Sequence, residues 1–245
     1  MTDEPSNGSF AATQIDCTFD EVQALADVSL DVPKTSLTAV IGPNGCGKTT
    51  LLRVMVGLQA PDSGNVRRPT GSTRPIGYLP QQPGFRPGFT VVETLSFYAQ
   101  LAGASPDRVD EVLETVGLTS VRNRRVEALS GGMTGLLGIA QALLGDPAFV
   151  VLDEPTTGLD PGIKHHIFDV IDSLTAAGTG VLLASHDLEL VEAHADRVLL
   201  LETGRHRASG SISDVIDEHG VSSLEELYLE LLKRDPAQIQ TREEA

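Results

Sequence analysis

The stretch IGPNGCGKTT at 41–50 places Gly42, Gly47, Lys48 and Thr49 in the spacing G-x-x-x-x-G-K-[ST], between the apolar runs LTAVI (37–41) and LLRVMV (51–56). A glycine-rich turn from a strand into a helix lets backbone N–H groups wrap phosphate oxygens, and the helix N-terminus adds positive potential. Gly42, Pro43, Asn44, Gly45, Cys46 and Gly47, with Thr50 just inside the helix, are therefore the candidates for holding a nucleotide. Lys48 reaches the β- and γ-phosphates, and Thr49 offers its hydroxyl to Mg²⁺. Cys46 reads as a small filler that contributes its backbone N–H, not as a redox thiol. A second stretch, FVVLDEP (149–155), is an apolar strand ending in two carboxylates. Successive strand side chains face opposite ways, so the two serve different tasks. Asp153 is placed to bind Mg²⁺ through water, and Glu154 to polarise an attacking water as general base. The chemistry is phosphoryl transfer from a nucleoside triphosphate to water.

These groups need a rigid scaffold. LTAVI (37–41), FVVLDE (149–154), GVLLAS (180–185) and RVLLLE (197–202) are continuous apolar runs separated by helix-length spacers. That alternation predicts an α/β fold with a doubly wound, mostly parallel sheet covered on both faces, and together with the motif at 42–49 the pattern resembles a P-loop NTPase (RecA-like) core. ATQIDCTF (12–19) and ADVSLDV (26–32) alternate apolar with polar residues, which predicts an antiparallel side sheet with one wet face. Between Leu79 and Phe149 the pattern changes to a helical period in VVETLSFYAQLAG (91–103) and DRVDEVLETVGL (107–118), an inserted α-helical subdomain. The expected organisation is a flexible tail over 1–10, a nucleotide-binding core over 11–81 and 146–210, the helical subdomain over 82–145, and a C-terminal helical tail over 211–245. In that tail SSLEELYLELLKR (222–234) offers Ser222 or Ser223 as its N-cap.

Composition narrows the setting. The chain of 245 residues carries a net charge of −16, with 34 acidic residues against 18 basic ones, of which four are lysines. No basic stripe is available to hold a phosphate backbone, which excludes a nucleic-acid partner. The acidity fits either a salt-adapted protein, whose self-repulsion salt screens, or an ordinary acidic one. Two cysteines, Cys17 and Cys46, make no disulfide framework. The longest apolar stretches, such as Leu136–Leu144, fall short of the roughly 18 to 20 residues of a membrane-spanning helix. MTDEPSNGSF at 1–10 is acidic and polar, unlike a secretory signal, and the chain reads as cytoplasmic.

Four motifs, GPNGCGKTT (42–50), LSGGM (129–133), VVLDEPTTGLDP (150–161) and LLASHD (182–187), stand in the order and spacing of ATP-binding cassette (ABC) ATPases. The resemblance spans approximately residues 12 to 232. It implies ATP and Mg²⁺ as ligands and ATP hydrolysis as the reaction. It also implies a second ABC subunit, expected to be a second copy of this chain, whose signature closes over the ATP of the first. Ser130, Gly131 and Gly132 would then serve the partner's nucleotide. Gln81, in YLPQQPGF (78–85), matches the glutamine that touches Mg²⁺ and the attacking water, His186 the switch histidine at the γ-phosphate, and Asp160 the loop that crosses between subunits. Phe19 falls where the family places an aromatic that stacks on adenine.

LSGGM, TVVETLSFYAQLAG and SSLEELYLELL most resemble the ABC-2 exporter branch, which implies a separate integral membrane permease. The permease would dock near Gln81 and Phe85, Arg86 and Phe89, with the chain peripheral on the inner face of the membrane. The alternative is a soluble, non-transport ABC ATPase of the cluster-assembly kind. Three departures stand out. Met133 replaces a glutamine, Thr134, Gly135 and Leu136 replace polar or basic residues, and DVPKTSL (31–37) lacks the glycine usual in that turn.

Overall fold

The computed structural model describes residues 10–70 and 74–233, so the polar start at 1–9 and the end of the expected tail, 234–245, lie outside the described residues. The chain begins with β1 (Phe10–Phe19), β2 (Val22–Val32) and β3 (Leu37–Ile41), then α1 (Lys48–Val56), β4 (Ser63–Arg67) and β5 (Ile76–Leu79). Three helices follow, α2 (Val91–Ala102), α3 (Asp107–Thr115) and α4 (Gly131–Leu143). Strand–helix alternation resumes with β6 (Phe149–Asp153), α5 (Pro161–Ala176), β7 (Gly180–Ala184), α6 (Leu188–His194) and β8 (Arg197–Glu202). The described chain ends with β9 (Arg205–Ser211), α7 (Ile212–His219) and α8 (Leu224–Lys233).

The strands form one sheet in the order β4-β1-β2-β9-β8-β3-β7-β6-β5. Strands β8, β3, β7, β6 and β5 are parallel neighbours. Every residue of β3, β6 and β7 is buried, which is why these runs are continuously apolar. Strands β1, β2 and β4 pair antiparallel, as their alternating pattern predicts. This side sheet joins the main one through a single parallel bridge, Ala26 to Arg205, and β9 turns back antiparallel on β8. Phe10 is fully buried, with its ring 5.2 Å from that of Phe149. Residue 10 is thus part of the core and not of the tail expected over 1–10.

Two apolar clusters flank the main sheet. Leu37, Ala39 and Ile41 pack with α4 and α5, whereas Val40 packs with Leu51, Leu52 and Met55 of α1 and with the side sheet. The helices between β5 and β6 start with a capping box, in which Thr90 and Glu93 satisfy each other's backbone N–H. Leu136, Leu137, Ile139 and Leu143 of α4 share one cluster with Leu79, Val150 and Leu152, so the back half of this helix is continuous with the core. At the chain's far end Ser223 caps α8 by accepting from Glu226 N at 3.1 Å, and Leu224 N donates to Glu192 Oε2 at 2.7 Å, tying α8 to α6.

The turn before β3 shows what replaces the missing glycine. Thr35 is held at φ 58°, left-handed, with its hydroxyl on the Lys34 carbonyl at 2.6 Å. Left-handed backbone costs an L-residue about 1–2 kcal/mol, and glycine's extra chain entropy returns about 0.5–1 kcal/mol of any gain. Thr35→Gly is therefore expected to stabilise the protein by about 0.5–1 kcal/mol. The check is the urea midpoint, which should rise; a lower midpoint would mean that the turn carries no strain.

Candidate active site

The C-terminal ends of β3, β6 and β7 lie side by side, and their loops build the site. Beyond β3 the chain turns through 42–47 into α1. Gly47 has φ 107°, and a Cβ there would lie 2.4 Å from the Ala24 carbonyl oxygen, so only glycine lets the loop close against β2. Cys46 is 3% exposed, and burial raises its thiol pKa above the ordinary value, which suits a filler and not a reactive group. Pro43 and Thr50 are half-buried, and Asn44 and Gly45 are exposed at the turn's tip.

Lys48 is 7% exposed and turns back under the loop, donating to the Gly42 carbonyl at 2.8 Å and the Pro43 carbonyl at 3.4 Å. Its ammonium stands 3.4 Å from Glu154 Oε1. Thr49 donates from its hydroxyl to Asp153 Oδ1 at 3.0 Å. The other oxygen of Asp153, Oδ2, is buried and has no hydrogen-bond partner. Burial pushes the Asp153 carboxyl above its ordinary range; the Thr49 hydroxyl opposes this and the Glu154 charge adds to it. A buried carboxylate with one free oxygen beside a threonine hydroxyl is a hard oxygen donor set, which fits a Mg²⁺ ion.

Glu154 sits just past β6 at φ 52°, a sparsely populated conformation for a non-glycine residue, with its N–H on the Ala184 carbonyl at 3.0 Å. This bend aims its carboxylate across the strand ends. Oε2 lies 2.6 Å from His186 Nδ1 and accepts from the Thr157 hydroxyl at 3.1 Å. Lys48, Glu154 and His186, from three separate loops, therefore form one connected group over a buried carboxylate. Thr157 was not evident from the sequence, since a threonine three residues after a glutamate is common in any polar turn.

The remaining candidates are placed apart from this group. Gln81 and Gln82 are exposed on the loop beyond β5, and neither hydrogen-bonds to Glu154. Ser130 is exposed and caps α4, accepting from Met133 N at 3.3 Å. A Cβ on Gly132 would lie 2.5 Å from the Ile163 side chain, so a glycine there lets α4 seat on α5. Asp160 is exposed and caps α5, accepting from Ile163 N at 3.2 Å. Ser130, Gly131 and Asp160 are thus exposed at the starts of α4 and α5, and Gly132 is buried where the two helices meet. Phe19 is 45% exposed at the tip between β1 and β2, outside the core. The contact of Ala24 with Gly47 sets that tip beside the phosphate-loop end of the site.

Phe85 is half-buried against the core, and the Arg86 guanidinium stacks 5.0 Å over the Phe89 ring. Residues 122–126, which lead into Ser130, are hydrogen-bonded to this segment through Val91 N to Arg124 O at 3.0 Å and Val126 N to Phe89 O at 2.9 Å. On α2, Phe97 and Leu101 are 47% and 57% exposed one turn apart, a patch the sequence did not single out because apolar helix residues are mostly core.

A family model described as ABC transporter matches residues 25–157. The chain is 37% identical over 213 residues to the Nod factor export ATP-binding protein I of Rhizobium etli, covering 82% of this chain and 67% of that protein. It is 36% identical over 200 residues to an uncharacterized ABC transporter ATP-binding protein of Bacillus subtilis, covering 79% of this chain and 68% of that one. The solved structure of an ATP-binding subunit of an ABC transporter is similar with TM-score 0.81 and 28% identity, over 91% of this chain and 99% of that one. A nucleotide-free ATP-binding cassette is similar with TM-score 0.74 and 27% identity, over 85% and 95%. The family match and these relatives show that the chain belongs to the ABC transporter family as an ATP-binding, ATP-hydrolysing subunit.

Proposed function

We propose that two copies of this chain enclose two ATP molecules, each held by the loop 42–50 of one copy and by Ser130, Gly131 and Gly132 of the other. The observation that carries this reading is the connected group of Lys48, Glu154 and His186, with Glu154 within 2.6 Å of His186 Nδ1 and 3.4 Å of Lys48 Nζ. Lys48 moves from Glu154 to the β- and γ-phosphates, and the freed carboxylate accepts the proton of the attacking water. His186, held against Glu154, reaches the γ-phosphate, and Phe19 stacks on adenine. Asp160 lies between the copies. Mg²⁺, when bound, neutralises phosphate charge during transfer; Thr49 and Asp153 would hold it, with Gln81 completing the set. The products are ADP and inorganic phosphate.

Among the described residues no helix is long and apolar enough to cross a membrane. We propose that closure of the pair is delivered to a separate integral membrane permease on the inner face of the membrane. The exposed Phe97 and Leu101 of α2, the helix whose first turn is hydrogen-bonded to residues 122–124, support that docking face. The relatives named for Nod factor export support export as its direction, of the ABC-2 kind. The test is Mg²⁺-dependent phosphate release from ATP by the purified chain, together with copurification from membranes. Phosphate release and a multi-span membrane partner are expected; release with no membrane protein among the partners would overturn transport and leave the ATPase.

The raised Asp153 pKa gives a prediction with a definite sign. The folded state binds this proton more tightly than the unfolded chain, so the contribution to stability is present at low pH and is lost as pH rises through the folded value. Asp153→Asn keeps the acceptor for Thr49 and removes that loss. Melts from about pH 4 to about pH 8 without Mg²⁺ should show the variant gaining on wild type as pH rises. Added Mg²⁺·ATP should stabilise only the wild type. A variant that gains nothing with pH would contradict the buried carboxylate.

A further inference from the structure

A second polar cluster lies beside the active group and outside it. Asp187, next to His186, accepts from Lys164 Nζ at 2.8 Å through Oδ1 and from the Thr156 hydroxyl at 2.5 Å through Oδ2. Its own N–H donates to the Ser185 hydroxyl at 3.0 Å. Burial alone would raise the Asp187 carboxyl, but the bonds from Lys164 and Thr156 prevail and hold it below the ordinary range. The cluster joins three pieces of chain: the turn after Glu154 through Thr156, the first turn of α5 through Lys164, and the loop beyond β7 through Asp187.

Lys164 stands where local electrostatics disfavour it. It is the fourth residue of α5, at the positive end of the helix dipole, in a chain that uses only four lysines. The side chains of Lys164 and Asp187 are 23% and 16% exposed, so solvent screens the pair less than a surface contact. Thr156 is fully buried, and its hydroxyl finds its acceptor in Asp187. A lysine retained against the helix dipole, and a buried hydroxyl spent on the same carboxylate, fix the position of residue 187 to within a hydrogen bond from both sides. His186 is the residue before this fixed point, with Nδ1 2.6 Å from Glu154 Oε2.

We infer that Lys164 is a positioning residue for hydrolysis: through Asp187 and Thr156 it locks the loop carrying His186 to the turn that carries Glu154. This rests on the proposed roles of Glu154 and His186 in water attack. Lys164 touches neither nucleotide nor water in that scheme, so its loss should act on turnover and not on binding.

The experiment is steady-state phosphate release with full-length Lys164→Met, Lys164→Arg and Thr156→Val proteins. K164M is expected to lower kcat about tenfold with the KM for ATP within about twofold of wild type, and K164R to restore at least about half of the activity. T156V, which removes the second tie at constant shape, should lower kcat in the same sense. On a His186→Ala background K164M should add no further loss, because both changes disable one device. If K164M melts far below wild type, T156V carries the test. Wild-type turnover in a folded K164M or T156V protein would overturn the inference. So would an equal further loss on the H186A background. A wild-type chain that releases no phosphate would instead overturn the ATPase reading on which the inference rests.

Discussion

Glu154→Gln should bind Mg²⁺·ATP at least as tightly as wild type and release phosphate about 10²- to 10³-fold more slowly, the range a positioned general base contributes. Glutamine matches the carboxylate in shape, so the packing of a side chain only 6% exposed is kept. What changes is proton affinity: an amide cannot take the proton of the attacking water. Binding should even tighten, because Lys48 now faces Glu154 Oε1 at 3.4 Å and would lose that competitor for the phosphates. Phosphate release and equilibrium ATP binding, measured on the same preparation, separate the two effects. Turnover at the wild-type rate would remove Glu154 from the role of base.

Ser130→Arg is expected to leave ATP binding to the chain's own loop within about twofold while hydrolysis falls about 10²-fold, since truncating or blocking a phosphate-facing group costs on that order. Ser130 is exposed, and the Gly131 and Gly132 beside it lie against Leu159 and Ile163 and not against the loop 42–47. An arginine there does not reach the chain's own Lys48 but does fill the space a partner's γ-phosphate would take. Loss of the cap to Met133 N costs about 1 kcal/mol, and α4, anchored by Leu136, Leu137, Ile139 and Leu143 in the core, keeps its place. Ser130→Ala separates cap loss from obstruction and should retain more activity than S130R. Unimpaired hydrolysis by S130R would sink the role in trans.

The parts of this molecule that were legible in the sequence are those where one local requirement decides the residue type. Strands β3, β6, β7 and β8 are buried on both faces, so apart from Thr38 and the charged residues at the strand ends their runs are apolar. Gly47, Lys48 and Thr49 are consecutive in the chain, as are Asp153 and Glu154, and within each short motif chemistry fixes the spacing. What sequence spacing does not carry is the meeting of distant segments. Asp187 joins Thr156 and Lys164 across 31 and 23 positions, and no local pattern marks that encounter. The α4 helix shows the same limit. It falls in the helical subdomain expected over 82–145, but only the packing of Leu136 and Leu143 with Leu79 and Leu152 shows that its back half belongs with the core. Thr35 marks a third kind. The sequence showed only that the turn before β3 lacks a glycine, whereas in the fold Thr35 itself holds a left-handed conformation there.

The central claim is that the site is completed by a second copy of the chain, and the mass of the Glu154→Gln protein tests it most directly. Light scattering on E154Q should give a monomer without nucleotide and a dimer in saturating Mg²⁺·ATP, because slow turnover holds the closed pair. Adding Ser130→Arg to the same chain should return it to a monomer with ATP still bound. A monomeric E154Q protein with ATP bound at full stoichiometry would contradict the shared site.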